Sequence, residues 1–260
     1  MDLQLKNKQA LITGGSRGIG RAVAETLAQE GCNLILSSRD EASLLAAQKS
    51  LNEAYGVIVD IFPADLSQSD HVEALAKVSG DVDILVNNAG AIPGGTLDSI
   101  DEQQWREAWD LKVFGYINLT RRLFAKMKKR QAGVIVNVIG LAGERPDAGY
   151  IAGSTANAGL MAFSRALGST APDSGIRVLG INPGLVATDR MVSIMETRAE
   201  QQLGDATRWQ ELLEHLPFSR AATAEEVARL VAFMASPCAS YISGTVVTID
   251  GGASHRSFAY

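Results

Sequence analysis

Seven short apolar runs, spaced along the chain and separated by helix-length stretches, constrain its fold more than any other feature. They cover residues 10–12, 34–36, 57–59, 84–86, 134–136, 178–181 and 246–249, and are rich in Val, Ile and Leu. Each is nearly continuous in apolarity, as a strand covered on both faces must be. Between them the pattern predicts helices over 18–31, 41–55, 69–78, 101–130 and about 156–171. Thr223-Ala224-Glu225-Glu226 has capping-box spacing and opens a last helix to Ala235, stopped by Pro237. Strict alternation of strand and helix predicts an α/β fold of Rossmann type. Its sheet would be parallel, seven-stranded and doubly wound, with helices on both faces. No repeat or linker divides the chain, so residues 1–260 read as one domain. The rhythm breaks once, over 186–218, where a polar, helix-patterned stretch follows the sixth strand. An insertion at the carboxyl edge of the sheet is expected to form a substrate lid.

Thr13-Gly14-Gly15-Ser16-Arg17-Gly18-Ile19-Gly20 joins the first strand to the first helix. In that context backbone N–H groups and the helix dipole face a pyrophosphate, and missing side chains let it approach. Gly14, Ser16, Arg17, Gly18, Ile19 and Gly20 are therefore candidate dinucleotide-binding residues. Folds that bind NAD place an acidic residue after the second strand, where it accepts from the ribose 2′-hydroxyl. Here that place reads Ser37-Ser38-Arg39. Ser38, Arg39 and Arg17 suit a 2′-phosphate that a carboxylate would repel, so the expected cofactor is NADP(H).

A net charge of −5 argues against sequence-independent nucleic-acid binding. No apolar run approaches the roughly 18–20 residues that span a bilayer, and the first residues lack the apolar core of a secretion signal. Two cysteines and three scattered histidines give no metal-ligand spacing. The expectation is a cytoplasmic, metal-free protein acting on a small molecule, with neither nucleic acid nor membrane as partner.

Thr13 to Gly20, Asp65-Leu66, Asn87-Asn88-Ala89-Gly90, Asn182-Pro183-Gly184 with Thr188, and Tyr241-Ile242-Ser243-Gly244 ahead of Asp250-Gly251-Gly252 occur in this order and spacing. In these motifs the chain resembles the short-chain dehydrogenase/reductase family, essentially from end to end. The resemblance implies that Asp65 and Leu66 flank an adenine and that Asn88, Ala89 and Gly90 line its ribose. It implies further that Pro183, Gly184, Val186 and Thr188 hold a nicotinamide carboxamide. It also implies a homotetramer built through the helices carrying Trp105 and Ala156, or a homodimer.

Family members reduce carbonyls with an Asn-Ser-Tyr-Lys tetrad. Tyr donates the proton, Lys lowers its pKa, Ser orients the carbonyl and Asn holds a relay water. Gapless register from Val136-Asn137-Val138-Ile139 and from Ala158-Gly159-Leu160-Met161 puts Gly140 at the Ser position, Gly153 at Tyr and Asn157 at Lys. The Trp105 anchor puts Lys112 at the Asn position. All four positions are thus expected to be substituted.

Neither glycine donates a proton, and Asn157 carries no charge. Two replacements offer themselves. Lys112 and Asn157 look like the family's Asn and Lys exchanged between neighbouring helices. A buried Lys112 hydrogen-bonded to Asn157 would have a lowered pKa and serve as acid or base; otherwise Lys112 snorkels to solvent. Tyr150 offers a phenol, by a register shifted three residues, by reaching in from its loop, or by covering the pocket mouth. Two functions stay open: an atypical NADP(H)-dependent oxidoreductase of a carbonyl, alcohol or activated double bond, and a non-catalytic NADP(H)-binding protein.

Overall fold

The computed structural model describes residues 1–256. Its sheet is made of β1 (Gln9–Thr13), β2 (Asn33–Ser38), β3 (Val59–Pro63), β4 (Ile84–Asn87), β5 (Gly133–Val138), β6 (Ile176–Pro183) and β9 (Val246–Ile249). All seven are parallel, in the order β3-β2-β1-β4-β5-β6-β9. The chain reverses its direction of growth between β1 and β4, and a crevice opens there beyond the strands' carboxyl ends. A second, two-stranded parallel pair joins β7 (Val186–Ala187) to β8 (Ala222–Thr223).

Alternate residues of each strand face opposite layers, which divides the core. Ala10, Ile12, Leu34 and Leu36 pack under α1 (Gly18–Gln29), α2 (Glu41–Tyr55) and α8 (Ala224–Ala235). Leu11, Ile35, Leu85 and Ile135 face α3 (Ser69–Val78) and α5 (Gly115–Arg130). α4 (Glu102–Trp109) runs into α5 through a π-helical turn over Asp110–Phe114, and α6 (Ile151–Thr170) packs beside it. α7 (Asp189–Leu203) and two 3-10 turns fill the stretch expected to be a lid.

Two local boundaries are corrected. The third strand begins at Val59, not at Val57; pairing with β2 from Leu34↔Val59 to Ser38↔Pro63 sets it, and Ile58 is left exposed. The helix expected over 101–130 runs from Glu102 to Arg130 with the π turn inside it. The helix expected from about 156 starts at Ile151, since Ala152 and Ala156 bury against Ile100 and Val113, and Trp109 Nε1 donates to the Ala152 carbonyl. The short pair β7–β8 carried no alternation long enough to be read.

Candidate functional site

Thr13, at the end of β1, is fully buried and ties the glycine turn to β4. Its hydroxyl accepts from the backbone N–H groups of Asn88, at 2.9 Å, and Ala89, at 3.0 Å. The Asn88 amide returns two bonds, to the carbonyls of Thr13 and Gly14. Gly14 and Gly18 have φ of +65° and +56°, a conformation that costs other residues more. The N-terminus of α1, capped by no side chain and without an acidic residue in its first turn, opens directly onto the crevice.

That crevice is a cavity of about 1020 Å³. Of the residues expected to hold a dinucleotide, Gly14, Ser16, Arg17, Gly18, Ile19, Ser38, Arg39, Leu66, Asn88, Ala89, Gly90, Pro183, Gly184, Val186 and Thr188 line it. Two do not. Gly20 packs under the turn, where a Cβ would overlap the Gly14 carbonyl oxygen. Asp65 turns its carboxylate onto the backbone N–H and hydroxyl of Ser67, and Ala64 takes its place on the cavity wall. Asp40, Ala91, Leu111, Val138, Ile139 and Asp189 also line the cavity, and no motif had pointed to them.

The end of the cavity beside β2 is cationic. Arg17 and Arg39 are exposed at the rim, and neither forms an ion pair among the described residues. Asp40 is next in sequence, but its carboxylate is turned away as the N-cap of α2. It accepts from Ser43 N–H at 3.2 Å and from the Ser43 hydroxyl at 2.6 Å. Those bonds hold it below the usual carboxylate range, with Arg17 adding a smaller pull. An uncapped helix N-terminus, glycines that permit close approach and two unpaired guanidiniums match the donor set a phosphorylated dinucleotide requires.

The other end carries Lys112, placed by the π turn so that its side chain points inward, only 9% exposed. Its stem crosses Gly90, where a Cβ would stand 2.9 Å from Lys112 Cδ. Nζ donates to the Ile139 carbonyl at 2.6 Å. No carboxylate pairs with it among the described residues, and burial lowers its pKa to about 8. Snorkelling is therefore excluded, and so is the expected bond to Asn157. The Asn157 Oδ1 is buried without a hydrogen-bond partner. Its Nδ2 lies 2.9 Å from where a Cβ of Gly140 would be, and Gly140 has a φ of +137°. A buried ladder braces these walls: Asn87 donates to Asn137 and Thr120, and Asn137 donates to Ser164 on α6.

Tyr150 is not among the residues lining the cavity. It precedes α6 and packs with Trp105, Trp109 and Ile92. Its ring lies over Gly153, so that a Cβ there would overlap ring carbons Cε1 and Cζ. Tyr150 stands at the N-cap of α6, immediately before its first residue. A second phenol went unforeseen. Tyr116, one turn beyond Lys112, is 1% exposed and donates to the Val138 carbonyl at 2.9 Å. Burial, and secondarily Tyr150, pushes its pKa up. Its apolar neighbours in sequence gave no hint of that role.

A family model described as short chain dehydrogenase matches residues 8–199. A 3-oxoacyl-(acyl-carrier-protein) reductase of Chlamydia muridarum is 33% identical over 257 residues, covering 97% of this chain and 99% of the relative. An L-sorbose reductase from Gluconobacter frateurii, crystallised with NADPH and L-sorbose, superposes with a TM-score of 0.94 at 33% identity; 99% of this chain and 100% of that one align. Levodione reductase follows at 28% identity and a TM-score of 0.89, covering 97% and 99%. The chain belongs to the short-chain dehydrogenase family. No helix of the described residues is long and apolar enough to cross a membrane.

Proposed function

We propose that the chain is an NADP(H)-dependent oxidoreductase of a small carbonyl compound or its alcohol, in which Lys112 replaces the family's proton donor. The observation that carries this reading is that Lys112, a desolvated lysine without a counter-ion among the described residues, lines the same cavity as the glycine turn and the two rim arginines. NADP(H), when bound, supplies the hydride. Arg17, Ser38 and Arg39 would hold its 2′-phosphate, and the amino end of α1 its pyrophosphate. Gly140, Gly153 and Asn157 stand where the tetrad's Ser, Tyr and Lys would be, so Lys112 takes over the proton. Its ammonium protonates the oxygen as charge develops there. General acid help of this kind is worth about 10²–10⁴-fold.

Two relatives of this fold are reductases, one crystallised with NADPH, which supports the cofactor and the carbonyl class. A tetramer through α4–α5 and α6 belongs to the same proposal, and the half-exposed Phe114 on that face is consistent with it. Titration by nicotinamide fluorescence should show NADPH bound more tightly than NADH, with Arg39→Ala removing the preference. Carbonyl reduction should fall as pH rises through about 8, because the ammonium is then lost. The reverse oxidation should rise over the same range. Tighter binding of NADH would refute the charge argument. NADPH binding with no turnover across a carbonyl panel would favour the second reading, a non-catalytic NADP(H)-binding protein, which the absence of a phenol from the cavity wall among the described residues supports.

A further inference from the structure

We propose that Lys112 is also a nucleophile, whose ε-amine condenses with the carbonyl carbon of an aldehyde or ketone entering the 1020 Å³ cavity to form an imine. Lys112 lines that cavity, and its amine makes a single hydrogen bond among the described residues, to the Ile139 carbonyl, an acceptor that holds one N–H. A neutral amine held by one N–H keeps its lone pair and a second hydrogen on the other side. The stem is fixed across Gly90, and Gly140, next to Ile139, lines the wall with no side chain. Among the described residues no carboxylate is near enough to pair with the ammonium and keep it protonated. Desolvation alone lowers the pKa to about 8, which leaves a sizeable neutral fraction near pH 7.

The step balances without a redox partner. The lone pair attacks the carbonyl carbon, and the C=O π pair moves to oxygen, which takes up a proton. The carbinolamine then loses this oxygen as water while nitrogen gives up its remaining proton, leaving C=N. The inference goes beyond hydride transfer and does not depend on it, because the amine would capture an aldehyde in the absence of any dinucleotide.

The protein, without cofactor, would be incubated with butanal and sodium cyanoborohydride at pH 7, 8 and 9, and the alkylated peptides mapped by mass spectrometry. Lys112 should be alkylated faster than exposed Lys49 and Lys128. The advantage should be largest at pH 7, where its neutral fraction exceeds a surface lysine's by a factor on the order of 10². Lys112→Arg keeps a cation but forms no imine, and should lose this adduct while the surface adducts persist. If Lys112 stays unmodified while the surface lysines react, or reacts at their rate at every pH, the inference falls. Wild-type mapping decides the matter even if the variant does not fold. NADPH titration is read separately, so loss of cofactor binding would refute the proposed function and leave this result standing.

Discussion

Lys112→Met should change how stability depends on pH, by an amount set by the burial of one ammonium. Burial lowers Lys112 from 10.5, the value of a solvated lysine, to about 8. At 1.36 kcal/mol per pKa unit, that corresponds to about 3 kcal/mol. Below pH 8 both the folded and the unfolded lysine are charged, and the native state carries the whole cost of the buried cation. Between 8 and 10.5 the unfolded chain holds the proton that the native state has released, so wild-type stability rises with pH. Above 10.5 both forms are neutral and the cost is gone. Methionine has similar length and no charge, so Lys112→Met lacks this rise. Urea unfolding of both proteins, at equal concentration, would be compared at pH 7 and at about pH 11. Relative to the variant, wild type should gain about 3 kcal/mol between the two. Other titrating groups, and any fixed offset from the side-chain exchange, cancel in this difference. Parallel pH profiles would mean that the ammonium is solvated in the native state, and would refute the burial on which both proposals for Lys112 rest.

Gly153→Ala should destabilise the protein, although alanine inside a helix normally gains about 1 kcal/mol over glycine. The added Cβ meets the Tyr150 ring. In a Tyr150→Ala background the same change should be stabilising, and an equal effect in both backgrounds by thermal unfolding would refute the contact. The capping box of α8 offers a further test. Arg220, followed by the Thr223 backbone, pulls the Glu226 carboxyl from 4.5 to about 2. Its stabilising effect is therefore complete above pH 4.5 and is lost as pH falls toward 2, so Glu226→Gln should flatten the acid limb of stability over that window. Thr223→Ala, which removes the bond to Glu226 N–H, should cost about 1 kcal/mol at neutral pH.

What the sequence made legible was whatever is encoded locally. α8 begins where Thr223 and Glu226 said it would, because a capping box satisfies its own helix end. The glycine turn is likewise readable, since its conformation follows from which residues lack a Cβ. β3 and the start of α6 were misplaced because partners distant in sequence decide them: β2 sets the register of one, and Trp109 with Val113 draws the other into its helix five residues early. The chemical end of the cavity shows this limit most sharply. Register alone points to Gly140, Gly153, Asn157 and Lys112, and read alone that set suggests a hollowed site. In three dimensions a neighbouring side chain stands beside each of three glycines. The Tyr150 ring lies over Gly153, the Asn157 amide fills against Gly140, and the Lys112 stem crosses Gly90. Gly153 is required by the ring over it and Gly140 by its own φ of +137°, whereas the Lys112 stem beside Gly90 is flexible. Enlarging Gly153 while the Tyr150 ring stays produces a collision, so a change there has to be made together with one at Tyr150.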